Sequence, residues 1–119
     1  MISRTMPAAG SVVRARKVDA SADTAAVVTL PALGGWAYVL HHIQWSYSGT
    51  PTDGLLTVQD GAAGPILWQQ AITAGGPGGQ APDELGTVGN AMVITLSAGG
   101  SGITGRIAGV RALLTQVGS

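Results

Sequence analysis

Apolar and polar positions alternate along much of this chain with a period of two, the spacing of strands whose two faces meet different surroundings. The clearest run is 36–48 (WAYVLHHIQWSYS), rich in aromatic and branched residues and free of glycine and proline. A regular strand here puts Val39, His41, Ile43, Trp45 and Tyr47 on one face, and Tyr38, Leu40, His42, Gln44 and Ser46 on the other. The first face is the more apolar and is expected to point into the core. Shorter strands are predicted at 25–30, 55–60, 66–73, 90–97 and 103–114. Leu56 and Val58 are expected inward; Ile66, Trp68 and Ile72 share one face of their strand, and Met92, Ile94 and Leu96 share one face of theirs, opposite Val93, Thr95 and Ser97.

Turn chemistry separates the runs. Pro51 and Asp53-Gly54 predict a reversal at 49–54, and GAAGP at 61–65 and AGGSG at 98–102 predict two more. Gly105 and Gly109 suggest bulges or close packing in the last strand. Residues 74–90, dense in glycine, predict the longest loop, with a short strand near Gln80. No helical period runs through any long stretch free of glycine and proline. The expectation is an all-β antiparallel β-sandwich or jelly roll. The 119 residues suit one domain. The expected division is an N-terminal arm at 1–24 and a sandwich at 25–119. Val12, Val13 and Val18 fit either a short edge strand or a flexible arm that orders on a partner.

Charge changes the picture. From Ala25 onwards only Asp53, Asp60, Asp83, Glu84, Arg106 and Arg111 are charged. Free soluble domains carry about a quarter of their residues charged. A body this poor in charge suits a surface covered by neighbours, hence a homo-oligomer, dimer or trimer. The arm holds Arg4, Arg14, Arg16 and Lys17 against Asp19 and Asp23. Arg14, Arg16 and Lys17 are therefore candidate partner contacts, as is the acidic pair Asp83-Glu84 in the long loop. Zero net charge gives no sign of nucleic-acid binding. No apolar run approaches membrane-spanning length, and Met1–Gly10 lacks the apolar core of a secretory signal, so no membrane association is expected.

Candidate chemistry is sparse. His41 and His42 are neighbours on a strand, point to opposite faces on a regular ladder, and so do not share a metal. They are read as interface candidates, one packed and one at the surface or a subunit contact, where a histidine makes assembly pH-sensitive. Asp53-Gly54 and Asp60-Gly61 read as turn aspartates accepting backbone hydrogen bonds. There is no calcium-loop spacing, no nucleophile elbow, no phosphate-loop lysine and no cysteine. No catalytic residue, metal or cofactor is expected, and the chain reads as a non-enzyme. Trp36, Trp45 and Trp68 suit core or interface packing, with a sugar-stacking platform as the rival use.

The segments 40–61 (LHHIQWSYSGTPTDGLLTVQDG) and 92–102 (MVITLSAGGSG) together resemble small all-β proteins of tailed-phage virions, most of all jelly-roll capsid decoration (cement) proteins. The resemblance implies a structural protein on the capsid surface of the virion, assembled in the host cytoplasm, with the major capsid protein as partner. The alternative is a tail-fibre or spike module that binds host-surface glycans. These motifs are strands and turns and transfer no catalytic residue.

Overall fold

The structure, a computed structural model, describes residues 12–15 and 18–115. Ten strands follow in chain order: β1 (Val12–Ala15), β2 (Val18–Asp19), β3 (Ala26–Leu30), β4 (Ala37–Tyr47), β5 (Gly54–Asp60), β6 (Ile66–Ile72), β7 (Gly76–Gln80), β8 (Glu84–Leu85), β9 (Met92–Leu96) and β10 (Gly105–Thr115). Among the described residues there is no helix. The larger sheet has the order β1-β10-β4-β7, with β2 also on β10 and β8 also on β4; the smaller has β3-β9-β5-β6. Every pairing is antiparallel. With β1/β2 and β7/β8 each taken as one position, this is the jelly-roll order, in which β9 and β10 slot in beside the first strand of each sheet.

Alternation builds the core where it was read. Ala26, Val28 and Leu30 on β3, Leu56 and Val58 on β5, and Met92, Ile94 and Leu96 on β9 are all buried. From the larger sheet they meet Ile107, Val110, Ala112 and Leu114 of β10. Each large aliphatic side chain so buried contributes about 1.5–3 kcal/mol before its ordering cost. Ile66, expected on one face with Trp68 and Ile72, is instead turned outward and 54% exposed, because the β5–β6 ladder slips between Val58 and Gln59. Ile72 is buried and Trp68 half-buried.

The long strand departs from strict alternation. Tyr38 and Leu40 face inward at its start, then Ile43, Trp45 and Tyr47. Arg111 pairs with His42 and Ala112 with Leu40, which leaves His41 as an extra residue. On β10, Ile107 pairs with Trp45 and Gly109 with Gln44, which leaves Ala108 as a second. The two bulges sit on opposite strands and cancel, so the register after them matches the register before. Each lets the apolar residues on both sides of it reach the same core.

β4 is also tied to the smaller sheet. Tyr38 Oη donates to the Pro31 carbonyl at 2.5 Å, and Tyr47 Oη to the Ser97 carbonyl at 2.7 Å. Burial pushes the Tyr38 phenol pKa up. The Leu55 amide donates to Ser97 Oγ at 2.8 Å, closing the link to β5.

Residues 74–90 hold two strands, β7 ending at Gln80 where a short strand is expected, and the described part of 1–24 holds β1 and β2, the edge-strand alternative. Within 74–90, β7 pairs with Ile43–Tyr47 and β8 with Val39 and Leu40. Of residues 1–24, β1 and β2 pair with β10 at the sheet edge.

Candidate functional site

The bulge at His41 overturns the expectation for the histidines. Two consecutive bulged residues oppose one partner on the same face, so His41 and His42 both project from the outer face of the larger sheet, opposite Arg111. His42 packs beside Gly79 of β7. His41 Nδ1 lies 3.1 Å from Asp83 Oδ1. Asp83 reaches it from a left-handed backbone position (φ 52°) directly before β8. Both side chains are about half exposed, so the pair contributes little to stability. Among the described residues no three metal-ligating side chains converge.

The other charge-derived candidates do not form one patch. Arg14 lies on β1 opposite Arg111, at one edge of the larger sheet. Asp83 and Glu84 lie at the other edge, with Glu84 opposite Leu40. Arg16 and Lys17 lie outside the described residues. Arg106 pairs with Asp19 across β10 and β2. Beside this pair, Ser46, Ser48 and Thr104 line an open groove of about 410 Å³. Arg106, Arg111, His41, His42, Asp83, Glu84 and Asp19 thus all belong to the larger sheet or its margins.

The outer face of the smaller sheet is different in kind. Its central row runs Val27, Thr95, Thr57 and Gln69 across β3, β9, β5 and β6. Gln69 Nε2 donates to Thr57 Oγ1 at 3.4 Å. Thr29, Gln59, Leu55 and Ala71 flank the row. None of these carries a charge, so the face is an uncharged patch of threonine, glutamine and aliphatic side chains across four strands. Sequence reasoning passed over it, although the signal was present: the outward partners in every strand of this sheet are uncharged.

The remaining acids are structural. Asp60, expected in a turn, is the buried last residue of β5. It accepts from the Thr87 amide at 3.1 Å, from the Thr87 hydroxyl, and from Asn90 Nδ2 at 3.4 Å. Burial alone would raise its pKa; the Thr87 and Asn90 hydrogen bonds outweigh that and hold the carboxyl below its usual range. Asp53 occupies a left-handed turn position (φ 54°) directly before β5. Trp36 and Trp45 are each 5% exposed, so neither offers a ring face for stacking. Trp68 alone is half-buried.

No family model matches the chain, and no curated protein matches it. Among solved structures it is similar to a carbohydrate-binding module, CBM36, in complex with calcium and xylotriose, at 10% identity and TM-score 0.42, covering 87% of this chain and 92% of that one. It is also similar to the CBM36-1 domain of a multidomain xylanase from the hindgut metagenome of Trinervitermes trinervoides, at 9% identity and TM-score 0.44, covering 77% and 72%. A third similar structure is a CBM4 module, at 15% identity and TM-score 0.45, covering 82% and 80%. Beside these stands what the strand order establishes by itself: the chain is a small jelly roll with one charged outer face and one uncharged outer face.

Proposed function

We propose that this chain is a non-enzymatic structural protein of a tailed-phage virion, a decoration protein that docks on the major capsid protein and reinforces the shell. One observation carries the reading: the charged side chains gather on the larger sheet, while the smaller sheet presents four strands with an uncharged outer face. A protein free on all sides uses surface charge to stay apart from its neighbours. Here most of the charged side chains lie on the larger sheet and none lies on the outer face of the smaller one, which suits a molecule laid with that face on a shell and its charged side to solvent. Burying threonine, valine and glutamine against a formed surface costs little desolvation, because no ion is stripped of water. Several copies linked as a dimer or trimer raise the effective affinity of each contact. The place of action is the outer surface of the capsid, assembled in the host cytoplasm.

The test is addition of purified protein to capsids lacking it, followed by thermal rupture of the particles. Stabilisation is expected for the native chain and for Arg111→Ala. It is expected to be lost for Thr57→Lys, which places an ammonium in the middle of the uncharged row. Equal binding of the Thr57→Lys protein would sink the proposed face, and failure of the native chain to bind would sink the function.

A second reading is favoured by the chemistry of the same face. Its hydroxyl and amide groups, Thr29, Thr57, Gln59, Gln69 and Thr95, suit a glycan-binding module on a tail fibre or spike. A glycan array separates the two, since saturable sugar binding is expected of the glycan module alone, and Thr57→Lys is expected to abolish it.

A further inference from the structure

The outer face of the larger sheet carries more than charge. On β10, Val110, Ala112 and Leu114 are buried inward, so Arg111 and Leu113 belong to the outer face. Leu113 pairs with Val39 on β4, and Val39 pairs with Leu85 on β8. On its other side Leu113 pairs with Val12 on β1. This register lays four aliphatic residues in one row across the sheet. Leu113 and Val39 are half-buried, and Leu85 is 46% exposed.

The next outward row is cationic. Arg14 pairs with Arg111, Arg111 pairs with His42, and the bulge adds His41 to the same face. Like charges at directly opposed positions weaken a ladder. An arginine on an edge strand guards that edge, which accounts for Arg14. It does not account for Arg111, because β10 has a strand on each side. Arg111 makes no ion pair among the described residues. The nearby acids are engaged elsewhere. Asp83 lies against His41, Asp19 lies against Arg106 near the start of β10, and Glu84 sits opposite the inward-facing Leu40. A local rule is thus broken at Arg111 with no compensating gain inside the fold, as happens at functional surfaces.

We propose that these two rows form a docking surface for an acidic amphipathic segment of a partner protein, its carboxylates on Arg14 and Arg111 and its apolar side chains on Leu113, Val39 and Leu85. Charge complementarity selects the occupant. Carboxylates take guanidinium groups in bidentate pairs, and one seated at the two arginines replaces a repulsion with an attraction. The aliphatic row beside them supplies the apolar area of an interface core. A nucleic acid would leave that row uncovered. A second copy in a twofold contact would bring a second Arg111 into the same interface. The surface lies on the other side of the sandwich from the face assigned to the shell, and does not rest on that assignment.

The experiment is fluorescence anisotropy at low salt, with the full chain titrated into a labelled peptide of glutamate and leucine that is amphipathic as a helix. Saturable binding is expected. Arg111 and Arg106 are both exposed on β10, so Arg111→Gln and Arg106→Gln remove the same charge from the same strand. Arg111→Gln is expected to weaken binding about tenfold. Because it removes an opposed like charge, it leaves the denaturation midpoint unchanged or higher. Arg106→Gln is expected to leave the affinity within about twofold. Leu85→Ser, at the exposed end of the aliphatic row, is expected to weaken it about threefold or more. Absence of saturable binding would overturn the proposal. Equal losses from the two arginine variants would also do so, by reducing the effect to net charge. So would equal binding of a lysine–leucine peptide of the same pattern, which leaves apolar contact alone, or tighter binding of an oligothymidine, which makes the surface one for nucleic acid.

Discussion

The indole of Trp45 fills the space a side chain would take at Gly78, its partner in the β4–β7 ladder. A methyl group at position 78 would stand 2.6 Å from Trp45 Cε2 and Cζ2. The ring is 5% exposed and has no room to retreat without disturbing the core. Gly78→Ala is therefore expected to destabilise the protein by about 1–3 kcal/mol, with a red-shifted tryptophan emission. Urea unfolding followed by fluorescence measures both. An unchanged midpoint would mean that β7 is free to move off the ring.

Tyr47 joins the two sheets through a single hydroxyl. Tyr47→Phe keeps the ring and leaves the Ser97 carbonyl short of one donor. The expected loss is about 1–1.5 kcal/mol, read as a lower denaturation midpoint with an unchanged m-value.

Asp60 makes stability depend on acidity in a definite direction. Its folded pKa lies below the ordinary value of 3.8. Its contribution is therefore complete above that value and is lost as pH falls through the lower, folded-state pKa. Asp60→Ala is expected to cost about 2–3 kcal/mol near neutral pH. The gap from the native chain should stay flat down to mildly acid pH and narrow only in stronger acid. Denaturation midpoints across pH test this, and a gap that widens on acidification would refute the sign.

Docking through an uncharged face should be indifferent to salt. Capsid affinity is expected to change by less than about threefold between low and high ionic strength. A steep fall with salt would instead assign docking to Arg14, Arg106 and Arg111 on the larger sheet.

The sequence made the alternating strands legible because burial on one face leaves a period of two in the residues themselves. Leu56 with Val58, and Met92, Ile94 and Leu96, show this directly. It points to a short strand near Gln80 but not to the rest of β7, because Gly76, Pro77, Gly78 and Gly79 carry almost no pattern of their own. That strand is held in place by β4 and by the ring of Trp45. The bulge at His41 was equally hidden, since an extra residue in one strand is defined only by the partner it fails to meet. Val39-Leu40-His41 therefore read as regular, and the histidines were assigned to opposite faces. Of the candidate contacts whose side chains are described, His41 and Asp83, 42 residues apart, come together, through a pairing of β8 with β4 that no local signal announces.

The interior positions of β9 and β10 have a kinetic consequence. Each lies between two earlier strands, so the smaller sheet cannot close before β9 is made, nor the larger before β10. Until then β4, with its aromatic inner face, lacks its longest partner, and β3 and β5 have nothing between them. Folding is thereby dominated by distant contacts, which places refolding in the millisecond-to-second range of all-β topologies. A chain truncated before Gly105 should emerge as an open, sticky pair of half-sheets.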